Sequence, residues 1–277
     1  MKCGIIDDIA VSIVTDFIFR SLHHCDKSHY ILINYTAKSR SKLTLEQKKY
    51  LNQYYCRSWK AWVGRHTYSA ISEDRSKGRL HDIDIDYITE LLNRSSKCCI
   101  SGLELTHDKS LYSLSIDRID NRCGHLKNNV QLVCMGVNLA KNRHTDGDVK
   151  FLLECINGRE FIPDRISRDY ISVCVRNSKN RDRIKQAAND ITTDEILKIL
   201  EDQHGKCCFS GINLACYKHP CLSISIDRID NNLGHVIGNV RLVAKSINLV
   251  KGRRLDGQLL DWLKAIRNYE NNRTITT

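Results

Sequence analysis

The sequence predicts an α+β protein in which one strand–turn–strand–helix unit occurs twice, each copy preceded by a helical arm. Three observations carry this expectation. Residues 113–141, SLSIDRIDNRCGHLKNNVQLVCMGVNLAK, are echoed by residues 223–251, SISIDRIDNNLGHVIGNVRLVAKSINLVK, at a constant offset of 110 (113 to 223, 141 to 251). Within each copy the apolar pattern changes from alternation to a helical period. The 277 residues also suffice for two cores of about 100 to 150 residues each. A period this long is no solenoid repeat, so it denotes a tandem duplication. The expected boundaries are 1–56 for an N-terminal helical extension without a counterpart, 57–160 for the first module and 165–277 for the second.

Taken in order, the start from Met1 to His24 mixes apolar residues with Asp7, Asp8 and Asp16. It lacks the basic, uninterrupted apolar character of a secretory signal and reads as a buried or amphipathic helix. Each core is then preceded by a basic arm. Arg57, Lys60, Arg65, Arg75, Lys77 and Arg79 form the first, and Arg165, Arg168, Arg176, Lys179, Arg181, Arg183 and Lys185 the second. Trp59, Trp62 and Tyr170 are interleaved with these charges, as in arms that follow a nucleic-acid groove, although a solvated helix face has the same composition. Next come apolar-periodic helices, about Asp86–Arg94 and Thr193–His204, the second with an N-cap at Thr192 or Thr193. Lys97-Cys98-Cys99-Ile100-Ser101-Gly102 then matches Lys206-Cys207-Cys208-Phe209-Ser210-Gly211.

The core begins with alternating stretches, Leu114–Ile119 and Ile224–Ile229, that read as strands. Turns containing Gly124 and Gly234 follow, and the glycines are expected to supply positive φ. Asn129–Val133 and Asn239–Val243 read as second strands. Helices starting near Met135 and Lys245 place Asn138 with Lys141, and Asn248 with Lys251, on one face. In such a unit Asp117 or Asp227, late in the first strand, can face the amide oxygen of Asn138 or Asn248. That is a hard, oxygen-rich pair suited to Mg²⁺ or a similar divalent cation.

The run Asp-Arg-Ile-Asp, Gly-His, Asn-Val-x-Leu-Val, Asn-x-x-Lys resembles the HNH (ββα-metal, His-Me finger) endonuclease superfamily. The likeness is to its Asp-Arg branch, found among restriction, phage and mobile-element enzymes. It covers each core, roughly half the chain. The resemblance implies two tandem ββα-metal nuclease modules with helical flanking arms. In them Asp117 and Asn138, and Asp227 and Asn248, bind the catalytic metal, and Arg118 and Arg228 contact the scissile phosphate. Asn129 and Asn239 match the middle Asn of the motif and are expected to be scaffold, bracing the loop. Arginine replaces the usual general-base histidine and cannot take its role at a pKa above about 12. His125 and His235, each following the hairpin glycine, are the candidates for activating water. A tyrosine from elsewhere, or proton loss from metal-bound water to solvent, is the alternative. Lys141, Lys251, Arg176, Lys179 and Arg181 are expected to bind DNA.

Composition is consistent with that reading. A formal net charge of +11 attracts polyanions, and double-stranded DNA is the expected partner. No stretch reaches the roughly 18 to 20 apolar residues that span a bilayer, so no membrane role and an intracellular location are expected. Thirteen cysteines raise the question of structural zinc. The paired C-x-x-C clamps common among HNH proteins are missing, because Ser101 and Ser210 stand where the second cysteine belongs. Structural zinc is therefore not expected, its best route being Cys216, Cys221 and His219. The duplication imitates a homodimer, and the chain is expected to act as a monomer with one site per strand. A catalytically inactive DNA-binding protein on the same scaffold, or an RNA-directed nuclease, remain the alternatives.

Overall fold

Ser58 opens the first arm by accepting a hydrogen bond from Ala61 N, and helix α1 runs Trp59–Ser76. The structure, a computed structural model, describes residues 58–275, with side chains as far as Tyr269. The expected N-terminal extension lies outside the described residues. Residues 61–64 of α1 are all buried, and beyond them Thr67, Ala70 and Asp74 continue inward at helical spacing. Asp84 caps α2 (Ile85–Arg94), which buries Ile88 and Leu92. Strands β1 (Leu114–Arg118) and β2 (Val130–Cys134) pair antiparallel, with Asp117 opposite Gln131. Helix α3 (Met135–Lys141) follows without a break, and α4 (Asp146–Ile156) starts at a capping box formed by Thr145 and Asp148.

The second half repeats this order. It contains α5 (Arg168–Lys185), α6 (Thr193–Asp202), β3 (Ile224–Arg228), β4 (Val240–Ala244), α7 (Lys245–Lys251) and α8 (Asp256–Ile275). Asp227 again stands opposite Arg241, the position of Gln131. Thr192 is the N-cap of α6, in a capping box with Glu195. The protein is thus α+β, with two small antiparallel sheets each followed by a short helix. No helix among the described residues is long and apolar enough to cross a membrane.

Both faces of β1 are covered, which is why four of its five residues are buried. Trp62 Nε1 of α1 donates to Leu114 O on one side, while Asn138 and Lys141 of α3 reach Ser115 and Asp117 on the other. The expected role of the hairpin glycines needs correction. Gly124 and Gly234 do not have positive φ. A Cβ at Gly124 would lie 2.0 Å from Leu80 O, and one at Gly234 1.7 Å from Ala188 O. The approach of the arm's trailing backbone, rather than turn geometry, requires glycine there.

The two halves meet through their equivalent helices α3 and α7. Ser246 Oγ donates to Ala140 O at 2.9 Å across this contact. Helix α8 extends over the first half: Tyr112 Oη donates to Asp261 O, and Arg267 bonds Ile156 O and Ser210 O. A Cβ on Gly136 would sit 2.5 Å from Trp262 Cε2, so this indole packs directly on the backbone of α3.

Candidate active site

Each module converges the same side chains by the same local means. Ser115 and Asp117 share a face of β1, two residues apart. Asn138 donates to Ser115 Oγ at 2.6 Å and Lys141 Nζ lies 2.6 Å from Asp117 Oδ2, so one turn of α3 covers both. In the second module Asn248 donates to Ser225 Oγ at 2.9 Å and Lys251 Nζ is 3.3 Å from Asp227 Oδ1. Asn129 and Asn239 span the hairpin loops, accepting from the amides of Asp120 and Asp230 and donating to the carbonyls of Gly124 and Gly234.

Lys141 and Lys251, expected to contact DNA, are internal counterions instead. Both are buried, at 0% and 1% exposure. Lys141 Nζ also meets Asp146 Oδ1 at 2.7 Å and Arg118 O at 2.7 Å. Burial alone would lower its pKa, but the bonds to Asp117 and Asp146 outweigh it, and the ammonium is held above its usual value. For Asp117, burial pushes the carboxyl above its usual range against the opposing bonds from Lys141 and Gln131. Arg176, Lys179 and Arg181 are exposed on α5, off its buried stripe of Ile171, Val175, Ser178 and Asp182.

The histidines bring in residues that the sequence reading missed. His125 N and Nδ1 both bond Asp74 Oδ2, at 2.6 and 2.8 Å; His235 does the same to Asp182 Oδ2, at 2.8 Å each. Burial pushes Asp182 up, but donation from His235 N, Asn189 and the His235 ring prevails, and its carboxyl lies below the usual range. A carboxylate only accepts, so Nδ1 of His235 carries the proton and Nε2 is left as a lone-pair acceptor. Burial also lowers the His235 pKa, with Asp182 opposing and Arg181 and Arg228 adding to the effect. Asp74 and Asp182 belong to a second repeat, Asp-Arg-x-Lys, at 74–77 and 182–185. Its offset is 108 instead of 110, which hides it beside the core repeat.

In the second module Asp227, Arg228, His235 and Asn248 line one cavity of about 130 Å³, joined by Arg181, Lys185 and Asn231. Arg228 Nη1 is fixed by the carbonyls of Asn231 and Leu233. In the first module Arg118 instead points at α1, with Nη2 3.5 Å from Glu73 Oε1 and Nη1 3.8 Å from Asp74 Oδ1. Asp146 and Asp256, also missed, complete the counterion sets. Gln131 bridges Asp117 and Asp146, while Arg241 bonds Asp227 at 2.9 Å and holds Asp256 bidentately. The Arg241 bonds, the leading cause, hold Asp256 below the usual carboxylate range.

As a test of fit for a divalent cation, each module pairs one carboxylate with one amide oxygen, but only the first leaves a carboxylate oxygen without a partner, since Asp227 Oδ2 accepts from Arg241 and its Oδ1 lies 3.3 Å from Lys251 Nζ. The Asn138 and Asn248 amides donate through Nδ2, which leaves Oδ1 for a cation. Both bonds that Asp117 accepts fall on Oδ2, which leaves Oδ1 for the same purpose. Two hard oxygens suit Mg²⁺, which usually keeps water and phosphate oxygens in its remaining positions. Among the described residues no three His, Cys, Asp or Glu side chains gather to hold a metal. The cysteines have other surroundings. Cys98 and Cys207 are buried while Cys99 and Cys208 turn outward, so adjacent thiols diverge. His219 Nδ1 accepts from the amides of Cys221 and Leu222, and Cys221 Sγ donates to Asp148 O. Compared with family models, curated proteins and solved structures, the chain matches none.

Proposed function

We propose that the chain is a metal-dependent endonuclease that hydrolyses phosphodiester bonds in double-stranded DNA, one strand per HNH-like module. The observation that carries this reading is the cavity that gathers Asp227, Arg228, His235 and Asn248 beside two further cations. Asp182 fixes the tautomer of His235, so Nε2 can accept a proton from an attacking water. Arg228, held through one nitrogen by turn carbonyls, keeps other N–H groups for non-bridging phosphate oxygens. Asp227 with Asn248, and Asp117 with Asn138, would hold a divalent cation such as Mg²⁺, which supplies charge stabilisation at the phosphate and the leaving oxygen. That substrate implies an intracellular setting.

One observation favours a second reading, a DNA-binding protein without turnover. Asp227 is already paired with Arg241 and Lys251, and a carboxylate so compensated offers less to a third cation. Supercoiled plasmid and a structured RNA, each incubated with the full chain in Mg²⁺ or EDTA, decide between them. The nuclease reading expects plasmid cut only with Mg²⁺ and RNA left whole. Salt-sensitive DNA binding with no cutting under any condition would establish the second reading, and cutting of RNA alone would redirect the substrate.

A further inference from the structure

The two modules share their motif but not the charge around it. Aligned through Asp74 and Asp182, Glu73 of α1 stands where α5 has Arg181, and Lys77 stands where α5 has Lys185. Arg118 and Arg228 are equivalent in the core. In the first module all three cations lean on Glu73 Oε1: Lys77 Nζ at 2.6 Å, Arg118 Nη2 at 3.5 Å and Arg79 Nη1 at 3.8 Å. In the second, the glutamate is replaced by a third cation. Arg181 and Lys185 have no carboxylate partner among the described residues, and both line the cavity with Arg228. Arg79 also has no counterpart, since Ala187 takes its place. Two exchanges, Glu73 for Arg181 and Arg79 for Ala187, therefore separate a basic cluster that carries its own carboxylate from an open one.

We propose that the second module's cavity is the phosphate-accepting site of the free protein, with Arg181 and Lys185 joining Arg228 around one phosphate, and that Glu73 latches the first module's Arg118 shut. The proposal rests on the nuclease reading for its substrate, a DNA phosphodiester, and goes beyond it in distinguishing the sites. A phosphate entering the second cavity meets three cations whose N–H groups are not committed to a carboxylate. A phosphate entering the first must displace Glu73 from Arg118 and face its charge. The consequence is an order of events in which the second module engages and cuts first. The first module follows once bound DNA has drawn Arg118 away from Glu73.

Inorganic phosphate titrated into the full chain, followed by the arginine Nε–H signals in NMR, tests the asymmetry without any turnover. Arg181 and Arg228 should shift together along one binding curve, and Arg118 should not respond. R181E should weaken phosphate binding at Arg228 at least tenfold, and E73R should give Arg118 a curve of its own. Should E73R fail to fold, E73Q removes the charge at nearly constant size and should produce the weaker form of the same response. Equal titration of Arg118 and Arg228 in the unmodified chain overturns the proposal, as does R181E binding phosphate within twofold of normal. The plasmid assay separates this failure from that of the nuclease reading. Asymmetric phosphate binding without cutting leaves the latch standing and removes the nuclease, whereas cutting with equal titration does the reverse.

Discussion

At the scale of single residues, the sites are governed by where each side chain finds its partner. Helical spacing places Lys141 on one face with Asn138, and the sequence predicts a DNA contact there. The Lys141 ammonium turns inward to Asp117 and Asp146, a choice fixed by tertiary packing that helical spacing does not encode. Asp182 illustrates the opposite case, a residue outside the motif that holds His235 through two hydrogen bonds. Asp182→Asn should keep the fold and DNA affinity while lowering the second module's cleavage rate by about a hundredfold or more, the usual contribution of a positioned base. Retained rate in a single-turnover assay would reduce the Asp182–His235 pair to scaffold. A separate expectation concerns His66, which packs on Trp62 and whose pKa burial and Arg65 lower from 6.5 to about 4. Between those values the unfolded chain binds more protons than the folded one, so stability rises with pH. The contribution is complete above pH 6.5 and is lost as pH falls through about 4. Denaturant melts at pH 7.5 and 4.5 should show the unmodified chain losing about 2–3 kcal/mol more than His66→Gln. A parallel decline in both would assign the acid sensitivity elsewhere.

At the scale of elements, the hairpins and the helices after them were legible to within a residue or so. The strands were expected at 114–119 and 129–133 and form at 114–118 and 130–134. Two copies of one pattern, with alternation ending at a helical period, leave little freedom there. Helices α4 and α8, which lie beyond Lys141 and Lys251, are not among the elements the sequence pattern predicts. Asp146-Gly147 with Asp256-Gly257, Leu153 with Leu263 and Ile156 with Ile266 signal their common origin, while positions between them have diverged to serve different neighbours. That divergence is itself physical. Trp262 of α8 occupies the position equivalent to Leu152 of α4, and it packs on Gly136, whose equivalent is Ser246. Gly136→Ala should therefore destabilise the protein by about 1–3 kcal/mol through overpacking. Adding Trp262→Leu should recover part of that loss, because the smaller side chain makes room. Strictly additive losses in the double-mutant cycle would show that the two residues do not interact.

At the scale of the whole molecule, the duplication supplies two sites and the arms decide how they differ. Asparagine is the gentler probe of the candidate metal carboxylates, since it keeps the shape that Lys141 and Lys251 pack against. Asp117→Asn should convert supercoiled plasmid to nicked circles and stop there, while Asp227→Asn should slow the first nick itself. Identical time courses for the two variants would mean the sites are interchangeable. The arrangement of α8 bears on a different matter, the independence of the halves. Arg267 ties Ile156 O to Ser210 O, and Tyr112 and Gly136 of the first half lie against α8 of the second. The connecting segment between α4 and α5 exposes Arg159, Ile162, Arg165 and Ile166 to solvent. A brief tryptic nick there should sever the chain yet leave both fragments travelling as one species in gel filtration. Each half thus completes the surface of the other, and gene fragments encoding them separately should yield soluble protein only when expressed together.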